Sequence, residues 1–258
     1  FNSFTCQPVC GPARSCLQTG LYATQTTCYR NGIALPSDAK TLAHYFREGG
    51  YTTAYIGKWH LATGSAGPVA PEQRGGYEYW LAANALEHTS EVYHTTLYDN
   101  DQQPVNLPGY RVDALTDAAI RYITDRCRMP ALQNRYMPQA QQPAPQDQPF
   151  FLFMSYLEPH HQNRIDDYPP PDGYRDRYTG RWTPPDLAAL GGSTPQHLGG
   201  YWGMVKRLDE ALGRLVDALR SLNQLDNTII LFTSDHACHF KTRNAEYKRS
   251  CHDSSIRV

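Results

Sequence analysis

The chain has 258 residues, of which 40% are hydrophobic and 19% are charged, and its formal net charge is −1. This length and composition allow one large buried core, and the balanced charge argues against nucleic acid or an acidic membrane surface as a partner. Seven cysteines, an odd number, exclude complete internal disulfide pairing. We find no signal peptide and no apolar run of membrane-spanning length, and we expect a single domain over residues 1–258 that is incomplete at both ends.

The segment 10–20 begins an apparent short helix directly after an apparent strand at 1–5. Cys10 precedes the helix, Pro12 suits its first turn, and Arg14 lies one turn inside it. A nucleophile, the free N–H groups of a helix and a fixed cation meet at such a turn, so the pattern predicts an anion site. The alternative is a buried cysteine beside a capped helix. A phosphotyrosine-phosphatase loop is excluded: it needs an arginine six residues after the cysteine, whereas Arg14 lies four residues after Cys10.

A second helix is predicted to begin at 36–38 and to end at the glycine pair 49–50. A buried strand over 51–56 follows, and it ends just before Lys58 and His60. Open α/β sheets bind ligands at the carboxyl ends of their strands, and alternation sends these two side chains the same way. The alternative to ligand binding is that Lys58 is a solvated lysine and His60 a histidine at the sheet edge.

Residues 62–111 are rich in Gly, Pro, Asn and aromatic residues, so we expect loops and short strands there. The apolar spacing over 112–125 predicts an amphipathic helix, and the Gln-, Pro- and Ala-rich stretch 129–148 is typical of an exposed excursion. Three polar residues of the first region are candidates either for substrate contact or for local turn bonding: Asn84, Glu87 and His88.

The most apolar short run, 149–157, predicts a central parallel strand. It leads to His160 and His161, and a histidine just past a strand end can protonate a leaving group near neutral pH. A loop histidine bonded to the backbone is the alternative. The carboxylate pair Asp166 and Asp167 lies in a proline-rich stretch that indicates a solvated turn rather than a metal site.

A long covering helix is predicted to begin near Pro195, and the strand 227–233 follows it. Asp235 and His236 follow the end of this strand. Either they bind a divalent cation together, or Asp235 is only a helix cap. The tail carries two adjacent cysteine–histidine pairs whose spacing does not suit structural zinc, so packing or a disulfide is expected for Cys238, His239, Cys251 and His252.

The pattern of Cys10, Pro12 and Arg14, completed by a leucine and a Thr-Gly pair within 17–20, resembles the signature of the type I sulfatases. The stretch 50–61 resembles their second signature, and the resemblance covers nearly the whole chain. It implies the alkaline-phosphatase-like α/β fold, a doubly wound, mostly parallel sheet with helices on both faces, of which this fragment would lack the first strand and the C-terminal part.

The resemblance also implies chemistry: hydrolysis of a sulfate ester by a formylglycine made from Cys10, with one bound Ca²⁺. The implied catalytic residues are Cys10, Arg14, Lys58, His60, His160 and Lys248. Of these, the implied substrate-binding residues are Lys58, His160 and Lys248. The implied metal ligands are Cys10, Asp235 and His236.

The family takes two further metal ligands from an Asp-Asp pair well before the cysteine, so we expect the isolated fragment to be inactive. A sulfated carbohydrate is the expected substrate, a formylglycine-generating enzyme is the expected partner, and an extracytoplasmic location is expected. Two alternatives stay open: a phosphonate or phosphate monoester hydrolase of the same superfamily, and a non-catalytic binder of sulfated glycans.

Overall fold

The structure is a computed structural model that describes residues 2–64, 66–127 and 148–258. The strands are β1 (Thr52–Lys58), β2 (Tyr79–Ala83), β3 (His94–Tyr98), β4 (Pro104–Pro108) and β5 (Phe150–Ser155). The α-helices are α1 (Cys10–Thr19), α2 (Leu42–Glu48), α3 (Leu86–Thr89), α4 (Arg111–Arg126), α5 (Tyr174–Tyr178), α6 (Pro185–Ala188), α7 (Thr194–Ser221) and α8 (Asp253–Ile256). Short 3-10 turns lie at Pro71–Gln73, Asn163–Ile165 and Leu225–Asn227.

The five strands form one sheet in the order β4-β3-β2-β1-β5. β1 pairs in parallel with both β2 and β5, whereas β3 and β4 are added antiparallel at the far side. The carboxyl ends of β1 and β5 therefore meet at one edge, with Gly57 opposite Ser155. This mixed sheet with its parallel centre agrees with the α/β class that the sequence predicts.

Side chains of β1 alternate between two cores on opposite faces of the sheet, as the two-residue period of a strand requires. Ala54 and Ile56 join a core that α4 and α7 cover with Leu115 and Leu219. Tyr55, between them, joins an aromatic core on the other face. Helices or loops thus bury both faces, and each fully buried aliphatic side chain contributes about 1.5–3 kcal/mol to folding.

Four predicted helices are confirmed, with differences at their ends. α1 and α4 lie where the sequence predicts them, and α7 begins at Thr194, one residue before the predicted proline. α2 begins later than predicted, at Leu42, because the His44 ring accepts a hydrogen bond from the Thr41 N–H and so caps the helix there.

The strand predicted at 1–5 is wrong for the residues described. Phe4 makes only an isolated antiparallel bridge to Arg257, and the Thr5 N–H donates to the Ile256 carbonyl. The segment pairs with the tail near α8 instead of joining the sheet, so its backbone bonds are local to that contact.

The strand predicted at 227–233 is also wrong, since residues 228–233 make no ladder with any described part of the chain. Ile229 is 98% exposed and Leu231 is 85% exposed. An apolar, β-branched run satisfies strand patterning, but a strand forms only where a neighbour supplies hydrogen bonds. The same absence makes β5 an edge strand, bonded to β1 alone among the described strands, although the sequence predicts it to be central.

The region 62–111 contains short strands and loops, as predicted. The stretch predicted as an exposed excursion, 129–148, lies outside the described residues except for its last position. Among the described residues, no helix is both long and apolar enough to cross a membrane.

Candidate active site

The site is built around Cys10, the first residue of α1, whose side chain is almost completely buried. Local sequence explains the turn: Pro12 lies in the first turn, where it needs no N–H partner, and the Gly11 N–H donates to the Asn31 side chain at 2.8 Å. A side-chain amide thus satisfies one of the free donors of the helix start. The remaining positive end of the helix dipole faces the sulfur and favours an anion there.

Two buried lysines face the Cys10 sulfur from distant parts of the chain. The Lys248 Nζ lies 3.0 Å from Sγ, and the Lys58 Nζ lies 3.8 Å from it. Lys58 is the last residue of β1, and Lys248 lies in the tail. Two ammonium groups beside one buried atom make a site for negatively charged oxygens.

Arg14 braces this arrangement from the opposite side. Its Nη1 donates to the Lys58 carbonyl at 2.8 Å and to the Ser155 hydroxyl at 2.7 Å, and its Nε lies 3.0 Å from an Asp235 carboxylate oxygen. One guanidinium therefore ties α1 to the carboxyl ends of both β1 and β5. Burial opposes the charge of Arg14, but Asp235 more than compensates and raises its pKa above the ordinary value.

The electrostatics favour the thiolate of Cys10. Burial alone would raise the pKa of this thiol, but the positive charge of Lys58 and hydrogen bonds with His160, His236 and His60 lower it well below its ordinary value. The pocket stabilises negative charge at position 10 whichever atom bears it.

A cavity of about 520 Å³ opens onto this cluster. His160 and His60 line it together with Cys10, and so do His161 and Tyr247. Burial and the nearby Lys58 lower the pKa of His160 below its ordinary value. The cavity is large enough for a sugar ring and offers it imidazole and phenol groups.

Asp235 and His236 lie beside Cys10 as a candidate metal pair. Ligand atoms of the three residues lie within 4.8 Å of one another, and the His236 Nε2 is 3.4 Å from the sulfur. The His236 Nδ1 faces the Ala237 carbonyl at 2.9 Å, so Nδ1 carries a hydrogen and Nε2 is the ring atom that faces the site. Histidine ligands of metals are commonly held in this way.

Asp235 and His236 shift each other's pKa in opposite directions. Burial would raise the pKa of Asp235, but His236 and Arg14 lower it below its ordinary value. Burial would lower the pKa of His236, but Asp235 and Cys10 raise it. A carboxylate and an imidazole poised in this way are a donor set that suits a divalent cation.

Glu87 completes the charge balance at the start of α3. Its Oε1 accepts a hydrogen bond from the Lys58 Nζ at 2.8 Å, in a pair whose side chains are 11% and 1% exposed. Burial would raise the pKa of Glu87, but Lys58 and the nearby His160 lower it below its ordinary value. Of the three polar candidates in this region, Asn84 instead bonds the backbone of its own turn.

A second group of metal-type side chains, His161, Asp166 and His197, lies next to the site. Its atoms already have protein partners: Asp166 accepts from Lys241 at 3.0 Å and faces His161 at 2.8 Å. The His197 Nε2 faces the Asp166 carbonyl at 2.8 Å. These bonds tie the turn after β5 to α7.

The structure brings together all eight residues that the resemblance implies: Cys10, Arg14, Lys58, His60, His160, Asp235, His236 and Lys248. Sequence reasoning missed Ser155, Asn31 and Tyr247. A polar residue at the carboxyl end of an apolar strand is the signal that could have identified Ser155. Asn31 and Tyr247 lie in irregular segments, where no periodicity singles out one polar side chain.

Among the described residues of the tail, Cys238 and Cys251 are not joined in a disulfide. Cys238 packs instead against Tyr168, whose hydroxyl lies 3.0 Å from its sulfur.

Comparison with known proteins places these features in a family. The family model described as Sulfatase matches residues 1–258. The ulvan-active sulfatase of Formosa agariphila is 31% identical over all of this chain and 47% of its own length. The uncharacterized sulfatase YidJ of Escherichia coli is 32% identical over 92% of this chain and 49% of its own length.

The fold is shared with solved structures. That of yidJ from Bacteroides fragilis superimposes with a TM-score of 0.81 at 24% identity, covering 99% of this chain and 58% of the other. The chain spans about half the length of the curated relatives it matches. Because the family model matches this chain from residue 1 to residue 258, the chain belongs to the sulfatase family.

Proposed function

We propose that the complete protein hydrolyses a sulfate ester, with residue 10 as the position of the nucleophile. The observation that carries this proposal is the convergence of Lys58 and Lys248 on the buried Cys10 at the positive end of a helix. Preorganised cations of this kind stabilise charge that develops on the oxygens of a transferring group, and they act most strongly in a water-poor pocket.

The lysines would bind the sulfuryl oxygens directly, and Arg14 would act partly through them. Because the Arg14 guanidinium holds the backbone of Lys58 at 2.8 Å, it fixes the base of that side chain while adding positive charge. Glu87 would keep the Lys58 ammonium in place between substrate and protein. The pocket thus offers an anion three cations, of which Arg14 and Lys58 are held in place by bonds to the protein.

A divalent cation fits the donors beside residue 10, since the carboxylate of Asp235 and the Nε2 of His236 both face that position. Ca²⁺ held there would acidify a bound hydroxyl and offset negative charge. Conversion of Cys10 to formylglycine by a formylglycine-generating enzyme would supply the oxygen nucleophile that a thiol lacks.

His160 is proposed to protonate the leaving oxygen. Its Nδ1 faces the His161 carbonyl at 2.6 Å, which leaves Nε2 as the atom that exchanges a proton. His60 lines the same cavity, and its buried Nδ1 has no hydrogen-bond partner among the described residues. It is proposed to assist the last step, release of sulfate.

A sulfated carbohydrate is the proposed substrate class. The names of two relatives support it: the ulvan-active sulfatase, and the N-acetylglucosamine-6-O-sulfatase of Bacteroides thetaiotaomicron, which is 22% identical. The extracellular sulfatase SULF-1 homolog of Drosophila melanogaster, 26% identical, supports an extracytoplasmic location. The cavity of about 520 Å³ has room for one sugar ring.

The test is a paired assay of the complete protein, produced with a formylglycine-generating enzyme, on matched sulfate and phosphonate esters. We expect kcat/KM for the sulfate ester to exceed that for the phosphonate ester at least tenfold. Cys10→Ala is expected to abolish turnover, and Cys6→Ala, at an exposed cysteine four positions earlier, is the matched control. The reverse preference would make the protein a phosphonate hydrolase, and binding of sulfated glycans without turnover would make it a binder.

A further inference from the structure

We infer that Tyr247 is a positioning residue for protonation of the leaving group and that it acts through His160. The inference rests on the proposed function, because it assigns a role within the same site.

Two contacts define how Tyr247 meets His160. The Tyr247 Oη lies 3.2 Å from the His160 Nε2, and the His160 Nδ1 lies 2.6 Å from the backbone carbonyl of His161. A carbonyl only accepts, so Nδ1 carries a hydrogen, and Nε2 of the neutral ring has a lone pair. The Tyr247 hydroxyl therefore donates to the nitrogen that is proposed to exchange the proton.

The ring of Tyr247 is also placed to hold the orientation of His160. The two ring centroids are 5.6 Å apart at an interplanar angle of 82°, an edge-to-face contact. On its other side Tyr247 packs against His161, with centroids 5.0 Å apart. Both histidines and the tyrosine line the cavity that contains Cys10.

The backbone that carries Tyr247 is held from below by a buried histidine. The His239 N–H donates to the Tyr247 carbonyl at 2.9 Å, and the His239 Nε2 faces the Lys248 carbonyl at 3.0 Å. His239 is completely buried. The same short segment thus presents the phenol to His160 and, one residue later, an ammonium to Cys10.

In the proposed hydrolysis, His160 gives one proton to the leaving oxygen and regains one from water. As the bond between sulfur and the leaving oxygen breaks, its electron pair stays on that oxygen, which takes the proton from Nε2 of protonated His160. The neutral Nε2 left behind then accepts the hydrogen bond of the Tyr247 hydroxyl, which stabilises the ring that has lost its proton. The water consumed in hydrolysis returns the proton to His160.

The experiment measures kcat/KM of the complete protein on two sulfate esters, an alkyl sulfate with a poor leaving group and 4-nitrophenyl sulfate with a good one. We expect Tyr247→Phe to lower the value for the alkyl ester about tenfold and that for the aryl ester less than about threefold, the loss of one hydrogen bond at the leaving-group side. Tyr174→Phe is the matched control: this tyrosine is also half-buried, but its hydroxyl bonds Glu210, away from the cavity.

His160→Ala should show the same preference for the aryl ester with a larger loss, and Tyr247→Phe should cost nothing more in that background. Equal losses on both esters, or full additivity with His160→Ala, would overturn the role of Tyr247 while leaving sulfate hydrolysis intact. A wild-type protein that turns over neither ester would contradict the proposed function itself and this inference with it.

Discussion

The Lys248 ammonium lies 3.0 Å from the Cys10 sulfur, although the two residues are 238 positions apart in the chain. Both side chains are at least 95% buried. A lysine almost never loses this much hydration without a group to compensate it, so the contact indicates that position 10 bears negative charge or receives a negative ligand.

Replacing Lys248 with methionine is expected to lower kcat/KM on a sulfate ester about 10- to 100-fold, the range for losing a hydrogen bond to a charged group. Methionine keeps most of the apolar volume, so the melting temperature should change little. Lys206→Met, at a surface lysine of α7, is the control and should retain full activity. Unchanged kcat/KM in Lys248→Met would remove this lysine from the site.

Glu87→Gln tests the buried pair with Lys58. The amide preserves the shape and one acceptor, but the Lys58 ammonium loses its countercharge, so we expect unfolding free energy to fall by about 1.5–3 kcal/mol in chemical denaturation. Glu48→Gln removes the countercharge of an exposed lysine, Lys40, and should leave stability unchanged. Equal stability of Glu87→Gln and wild type would mean that the pair is not formed.

The same variant has a predictable pH dependence. Because the pKa of Glu87 in the folded state lies below its ordinary value, its contribution is present above about pH 4.3 and is lost as pH falls towards the folded-state pKa. The stability difference between wild type and Glu87→Gln should therefore be constant from pH 7 to 5 and narrow by about 2 kcal/mol by pH 3. A difference that widens on acidification would reverse the sign of this linkage.

Removal of divalent metal is expected to abolish sulfate-ester turnover, and Ca²⁺ should restore it. Asp235→Asn keeps the size of the side chain but weakens the donor, so we expect its Ca²⁺ affinity, measured by titration calorimetry, to fall more than tenfold. Asp166→Asn, in the neighbouring group that is tied by Lys241, is the matched control and should bind Ca²⁺ like wild type. Full activity after exhaustive chelation would exclude a catalytic metal.

Local patterns predicted the parts of the fold that depend on local bonding. The helix start at Cys10 follows from the proline in its first turn. The two-residue period of β1 places Tyr55 on the opposite face of the sheet from Ala54 and Ile56. The end of β1 also places Lys58 at the ligand-binding edge, as its position after an apolar strand predicts.

The remaining misses concern interactions between distant segments. The apolar run at 229–232 has strand composition, yet a strand needs a neighbouring backbone, and none of the described residues supplies one. The backbone of Tyr247 is held by a hydrogen bond from the His239 N–H, and no spacing in the sequence predicts this contact. Positions set by such tertiary contacts are not readable from one sequence.

The most direct test is the mass of the peptide that contains residue 10, taken from the complete protein produced together with a formylglycine-generating enzyme. Conversion of the Cys10 thiol to an aldehyde predicts a loss of about 18 Da, confined to that peptide, while the peptide that carries Cys28 keeps its thiol mass. An unmodified Cys10, under conditions that convert a known sulfatase, would contradict the proposed nucleophile and favour a binding protein for sulfated glycans.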